Sequence, residues 1–201
     1  LAAEGVDFEV VPGVTSASAA ATYTGIPITH REYTASVAFV TGHEDPEKKF
    51  STIDWEKLAT GAGTLVIYMG IKNLPEITRK LMAAGRAPET PVAVVRWAST
   101  PKQESLIGTL ATISDLVLEN DVKPPALVLV GEVVQLRHRI NWFERRALFG
   151  RRIVVTRTRS QASELVHQLE ELGADCLECP TIDIQALDDY SLLDAALGQL
   201  P

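Results

Sequence analysis

The chain has 201 residues, 46% of them hydrophobic and 22% charged, and a formal net charge of −7. That balance is ordinary for one or two globular domains, and its acidity argues against a general nucleic-acid binder, which carries a basic footprint. No run approaches the roughly 20 apolar residues a membrane span needs, and no basic stretch followed by an apolar one opens the chain, so a cytoplasmic location is expected.

The opening Leu1-Ala2-Ala3-Glu4-Gly5 lacks an initiator methionine and reads as the end of a helix, so Leu1 is not expected to be a natural beginning. From there β-rich runs alternate with helical patterns. Residues 8–11 predict a first strand. A helix follows over residues 15–23, rich in alanine and opened by Thr15 as N-cap after Pro12-Gly13. Strands are predicted over 37–41, 64–69, 92–96 and 126–131. Each is dense in Val, Ile, Leu or aromatic residues with little polar alternation, the pattern of strands buried on both faces. Residues 105–110 predict a further strand, antiparallel at an edge. A helix over 73–84 starts at an Asn cap, carries Pro75 in its first turn and stops before Gly85. A shorter one spans 114–120. This alternation predicts an α/β layered sheet.

A boundary falls near residues 142–150, after the basic clusters Arg137-His138-Arg139 and Arg145-Arg146. A strand over 152–156, an amphipathic helix over 160–172 with Leu165, Leu169 and Leu172 on one face, and a strand over 176–178 follow. The division is therefore a domain over 1–143, a linker over 144–150 and the start of a second α/β unit over 151–201. The last piece is too short to close a doubly wound domain.

The strand ends suggest where a ligand would sit. Val11 runs into Pro12-Gly13, Val40 into Thr41-Gly42-His43, Tyr68 into Met69-Gly70, and Val130 into Gly131-Glu132. In open α/β sheets ligands bind outside the carboxyl ends of the strands. Parallel strands would bring these four ends to one crevice, where glycine lets a ligand approach the backbone. Glycine also simply punctuates turns, and the pattern does not name the ligand. Neither G-x-G-x-x-G after a strand nor a Walker sequence is present. His30, Arg31 and His43 are either solvated loop residues or donors for a carboxylate-rich substrate. His167 falls on the surface of a helix, and a lone Met69 reads as a core filler. Cys176 and Cys179 form C-x-x-C without the second ligand pair a zinc site needs, so no metal is expected. So few cysteines fit a reducing compartment.

Longer motifs carry a resemblance. They are Val10-Val11-Pro12-Gly13-Val14-Thr15-Ser16-Ala17, Tyr23-Thr24-Gly25-Ile26-Pro27-Ile28-Thr29-His30-Arg31, Val40-Thr41-Gly42-His43, Thr64-Leu65-Val66-Ile67-Tyr68-Met69-Gly70, Pro91-Val92-Ala93-Val94-Val95, Gly108-Thr109-Leu110, and Gly131-Glu132-Val133-Val134 before Asn141-Trp142-Phe143. In this order and spacing they resemble the uroporphyrinogen-III C-methyltransferases of the tetrapyrrole methylase family. The resemblance implies an α/β fold, the αβα-layered C-terminal domain of a tetrapyrrole methylase, usually in a homodimer. It implies S-adenosyl-L-methionine as cofactor and S-adenosyl-L-homocysteine as product, with Thr15 and Ser16 touching the cofactor, Met69 packed against it, and Ala98 where many relatives carry glycine. It implies methylation of uroporphyrinogen III at C-2 and C-7 to precorrin-2, toward cobalamin or sirohaem, with His30, Arg31 and His43 set against the substrate's carboxylates. No nucleic-acid or membrane partner is implied. The family's N-terminal domain, its Gly-Gly-Asp loop and its acid/base residues are expected ahead of Leu1, so no catalytic residue is assigned within this chain, and weak cofactor binding is expected of it. The tail, from Arg151-Arg152-Ile153-Val154-Val155-Thr156-Arg157 through Gly173-Ala174 to Pro180, resembles the first, incomplete βαβ unit of a uroporphyrinogen-III synthase. Two other readings stay open: a non-catalytic assembly or dimerisation portion, and a different precorrin methyltransferase.

Overall fold

A computed structural model describes residues 1–43, 53–182 and 188–199, and within residues 159–162 the backbone alone. Its centre is a mixed five-stranded sheet built from β1 (Val37–Thr41), β2 (Thr64–Tyr68), β3 (Pro91–Arg96), β4 (Glu104–Thr109) and β5 (Ala126–Val130), in the order β1-β2-β5-β3-β4. The three inner strands are runs of Val, Ile, Leu and Ala buried almost throughout, as expected of strands covered on both faces.

Side chains alternate across these strands, and the two faces pack separately. Leu65, Ile67, Val92, Val94, Val128 and Val130 face one way, against α2 (Trp55–Gly61), α3 (Leu74–Ala83) and α4 (Ile113–Glu119). Val66, Ala93, Val95, Leu127 and Leu129 face the other way, against α1 (Ser16–Thr24) and the 3-10 turn Glu132–Leu136. The result is the αβα-layered α/β domain that the sequence implies.

Helix α1 is short and carries almost no amphipathic stripe. It meets the sheet through Ala17 and Ala20, both buried. Small side chains let its backbone lie close over β5 and β3 while keeping dense packing. Thr15 caps it, its hydroxyl accepting from the Ala17 amide at 3.4 Å. At the other end Gly25 takes a left-handed φ of 71°, and the Ile26 amide donates back to the Ala21 carbonyl at 3.0 Å. This is the usual glycine stop of a helix.

One expectation needs correction, and two features of the fold go beyond the sequence reading. Residues 8–11 do not form a strand: they are extended and exposed, with Val11 at 85%. β-propensity produces a strand only where a neighbour supplies the ladder, and this run pairs with no described strand. Helix α2 has no counterpart in the sequence reading. The strands are also not all parallel. β1 pairs parallel with β2, but β5 runs antiparallel to both β2 and β3.

Beyond the sheet, α5 (Arg137–Ile140) leads into tight turns over residues 141–150. The segment expected as a linker is held to both sides: Phe149 stacks edge-on to Phe143 at 5.5 Å, and the Leu148 amide donates to the Leu172 carbonyl at 2.9 Å. The second unit pairs β6 (Arg152–Val155) in parallel with β7 (Asp175–Glu178), with α6 (Arg159–Glu171) crossing between them and α7 (Ser191–Leu197) beyond. Its small core gathers Ile153, Val155, Leu165, Val166 and Leu169. Among the described residues no helix is long and apolar enough to cross a membrane.

Candidate functional site

The carboxyl ends of β1, β2 and β3 lie at one edge of the sheet. Because β5 is antiparallel, its amino end joins them there: Ala126 pairs with Arg96, and Leu127 with Tyr68. A cleft of about 640 Å3 opens at this edge, within the range of small-molecule sites. One wall is α1, through Ser16, Ala19 and Ala20. The other is the loop after β3, through Trp97, Ala98 and Ser99. Tyr68, Met69 and the Pro124-Pro125 segment complete it.

The backbone around the cleft is unusual. Met69, Trp97 and Ser99 all take left-handed conformations, with φ of 51°, 50° and 69°. Side-chain-bearing residues pay about 1–2 kcal/mol each for this geometry, and such strain gathers at functional sites. The Trp97 ring is held by the Arg96 guanidinium, 3.7 Å above its centroid, and Arg96 also pairs with Glu104 at 3.5 Å.

The sequence-derived residues divide. Ser16, Met69, Ala98 and His43 line the cleft. Thr15 stands at the rim, where its hydroxyl shares a 2.5 Å hydrogen bond with the Tyr68 hydroxyl. Met69 is no core filler: it is 62% exposed and forms the cleft floor. His30 and Arg31 lie elsewhere. They sit in a short loop closed by the His30–Thr34 bridge, ahead of β1, beside Gly63 at the amino end of β2. The five-residue β1 separates them from His43, roughly 16 Å of strand. The single cationic patch expected from His30, Arg31 and His43 is therefore not assembled within this chain.

The glycine expectation also changes. Gly131 lies at the opposite edge, its amide donating to the Pro91 carbonyl at 2.9 Å, because β5 runs the other way. Gly42 and Gly70 pack against each other: a Cβ on Gly42 would come within 2.7 Å of the Gly70 Cα. Their bareness lets the loops after β1 and β2 cross, and Asn73 ties the crossing by donating to the Gly42 carbonyl at 2.9 Å. The glycines shape the site without lining it.

Sequence reasoning missed Lys72, Trp97 and Ser99. All three follow a strand end within four residues, so the rule that singled out the glycine tips would have found them if applied to their neighbours. Their importance lies in charge and shape. The lining holds His43 and Lys72 and not one carboxylate among the described residues, in a chain whose net charge is −7. Among the described residues no cluster of three or more His, Cys, Asp or Glu could hold a metal ion.

A mixed sheet between two helical layers, with a strained, apolar cleft of small-molecule size at one edge, defines an α/β domain of a layered class. The chain belongs to the tetrapyrrole (corrin/porphyrin) methylases, whose family model matches residues 1–114. It is 47% identical over 144 residues to a uroporphyrinogen-III C-methyltransferase of Bacillus subtilis, which covers 72% of this chain and 56% of that one. A second B. subtilis uroporphyrinogen-III C-methyltransferase is 39% identical over 176 residues, 88% of this chain and 36% of that one. A uroporphyrin-III C-methyltransferase of Thermus thermophilus, crystallised with S-adenosylhomocysteine, aligns with a TM-score of 0.57 at 36% identity, over 67% of this chain and 57% of that one. The chain thus spans about half the length, or less, of these relatives.

Proposed function

We propose that the chain is part of an S-adenosyl-L-methionine-dependent methyltransferase that converts uroporphyrinogen III to precorrin-2 by methylation at C-2 and C-7. The observation that carries this is convergence: Ser16, Met69 and Ala98, on three separate segments, meet in one cleft together with the rim residue Thr15. The cleft fits the cofactor's chemistry. It has the volume for a nucleoside with a short tail, an apolar floor at Met69, and a wall at Trp97 and Ser99 whose backbone is left-handed. With no carboxylate in its lining among the described residues, the cleft sets no like charge against the carboxylate that the cofactor bears.

When bound, S-adenosylmethionine supplies a methyl group on a sulfonium for a nucleophilic pyrrole carbon. The chain's own part is positioning and exclusion of water. The Ser16 hydroxyl offers a hydrogen bond at the amino end of α1, and Met69 with Trp97 covers apolar surface. His43 and Lys72 stand where an anionic group would enter. The substrate carries eight carboxylates, so the Lys72 ammonium and the His43 imidazole, as hydrogen-bond donors, are natural partners for some of them. His30 and Arg31, on the far edge, remain candidates for substrate only through a surface not shared with this cleft.

Two further points belong to the same reading. A match of 176 residues to one relative must run past residue 150, which supports a methylase portion over 1–143 and a following unit shared with that relative; we read that unit, from its resemblance over 151–180, as the start of a uroporphyrinogen-III synthase. The exposed apolar side chains of Val10, Val11, Val14 and Phe39 support a homodimeric protein in which a partner covers them; we read it as a cytoplasmic biosynthetic enzyme.

Calorimetric titration of the complete enzyme with S-adenosylhomocysteine tests the cofactor site. A folded Met69→Asp, Thr15→Trp double variant should lose at least about tenfold in affinity, or 1.4 kcal/mol. Unchanged affinity would remove the cleft from consideration. For the substrate, Lys72→Ala should raise KM for uroporphyrinogen more than KM for S-adenosylmethionine, and the difference should shrink as salt screens the charge. Equal effects on both would exclude Lys72 as a substrate contact.

A further inference from the structure

The cleft has two walls from distant parts of the chain, and one buried side chain joins them. Gln103 is 5% exposed and sits just ahead of β4. Its carbonyl oxygen accepts from the Ser99 amide at 3.0 Å, in the loop that forms one wall. Its amide nitrogen donates to the Tyr23 carbonyl at 3.1 Å, at the end of α1, which forms the other. The same nitrogen donates to the Glu144 carboxylate at 2.8 Å. The orientation of the amide is thereby determined, since reversing it would set oxygen against two acceptors and nitrogen against a donor.

Glu144 is itself anchored. One oxygen also accepts from the Ser105 hydroxyl at 2.7 Å, and the other accepts from Arg137 and, at 3.4 Å, from Asn141. Arg137 and Glu144 are mostly buried, with side-chain exposures of 13% and 17%. Arg137 also donates to the Thr24 carbonyl at 2.7 Å, and Trp142 to the Thr22 carbonyl at 3.0 Å. Three successive carbonyls at the end of α1 are thus taken by side chains from outside the helix. A helix leaves its last carbonyls without internal partners, and here Arg137 and Trp142 supply donors to two of them and Gln103 to the third. None of these residues touches the cleft, yet both walls hang from them.

We propose that Gln103, clamped by the Glu144 carboxylate, is a positioning residue of the cofactor cleft, setting the distance and register between α1 and the Trp97–Ser99 wall. The proposal rests on the reading that the cleft holds S-adenosylmethionine. Its physical basis is that Ser99 is held in a left-handed conformation its own side chain does not favour, so an outside bond must maintain it. Among the described residues, only the Gln103 carbonyl oxygen bonds to that amide.

A charge-exchange cycle on this chain tests it. In Gln103→Glu the new carboxylate still accepts from Ser99, but it cannot donate to Tyr23 and it faces Glu144. Adding Glu144→Gln restores a donor opposite residue 103 and keeps the net charge beside Arg137. Two quantities are read by amide NMR on the 15N-labelled chain: the Ser99 amide position, and the dissociation constant for S-adenosylhomocysteine, titrated to several millimolar. Gln103→Glu should shift the Ser99 amide and weaken binding about tenfold or more, while the double variant, which repairs the contact with residue 144 but not the bond to Tyr23, should recover most of the Ser99 amide position and only part of the affinity. Val117→Ala, in the core on the opposite face of the sheet, serves as a destabilised control and should leave both readouts unchanged.

The proposal is overturned if Gln103→Glu behaves like Val117→Ala, or if the double variant recovers neither quantity. Where the wild-type chain alone shows no shift with S-adenosylhomocysteine, affinity is read on the complete enzyme, and no binding there would sink the cofactor reading and the affinity half of the proposal. The Ser99 amide, read without ligand, still decides whether Gln103 and Glu144 hold the wall.

Discussion

Met69 combines a φ of 51° with a side chain that is 62% exposed. The strain therefore brings little burial in return, which marks the residue as one kept for its site. Met69→Gly should relax the backbone and leave the folded protein as stable as before, or more stable by up to about 1 kcal/mol, in urea denaturation. The same variant should bind S-adenosylhomocysteine more weakly, because the apolar floor is gone. Loss of both stability and affinity would mean the side chain packs more tightly than its exposure indicates. At this scale the sequence was partly legible. Thr15 announced itself by helix-cap chemistry, and Ser16, Met69 and Ala98 by resemblance. Trp97 and Ser99 gave no local sign, since nothing in Arg96-Trp97-Ala98-Ser99 demands a left-handed backbone, and the bond that stabilises it comes from Gln103 in the next strand's approach.

Helix α1 shows how an element can depend on remote partners. Its sequence, Ser16-Ala17-Ser18-Ala19-Ala20-Ala21-Thr22-Tyr23-Thr24, has good helical propensity in its alanines, but nine residues are too few to be helical alone. Gly25 completes it, and the Ile140–Asn141 backbone lies against Gly25: a Cβ there would fall 2.6 Å from the Ile140 carbonyl carbon. Gly25→Ala therefore meets both a left-handed φ and a backbone clash. It should cost about 3 kcal/mol, seen as a lower midpoint in thermal or urea unfolding. A variant as stable as wild type would mean that the segment over 137–144 can move away from α1, contrary to the bonds it makes there. The strands of the central sheet were legible nearly to the residue because burial on both faces leaves a plain apolar signature. Their directions were not, because such a run reads the same from either end. The antiparallel course of β5 moved Gly131 away from the cleft and brought Pro124-Pro125 into it. Helix α2 escaped notice because seven residues hold barely two turns, too few for a periodic pattern to stand out.

Across the whole molecule, the buried polar cluster around Glu144 links stability to pH. Burial raises the pKa of this carboxyl, but hydrogen bonds from Gln103, Ser105 and Arg137 outweigh it and hold the group below its ordinary value. A carboxylate depressed in the folded state contributes stability that is fully present above its unfolded pKa, about 4.3, and is lost as pH falls through the folded value. The chain should therefore lose stability on acidification below that point. Glu144→Gln should be less stable at neutral pH and show a shallower acid limb, measured as urea midpoints across a pH series. An unchanged acid limb would assign the pH dependence to other carboxylates. The second unit adds only a small core of its own and leans on Phe143, Phe149 and Leu148, which ties its fate to the turns after α5.

What the sequence determined by itself was the set of elements, the layered α/β class and the family resemblance, because these follow from short-range patterns: apolar periodicity, helix caps and motifs in register. Through the family resemblance it also pointed to four of the proposed ligand contacts, Thr15, Ser16, Met69 and Ala98. Tertiary structure alone decided which ends meet. It separated His30 and Arg31 from His43 by the length of a strand, turned β5 against its neighbours, and brought Lys72 to the cleft. It also joined Gln103 to Ser99, Tyr23 and Glu144, partners 4, 80 and 41 residues away. Strand direction and long-range hydrogen bonds depend on how the layers close over one another, and no local run of residues records that.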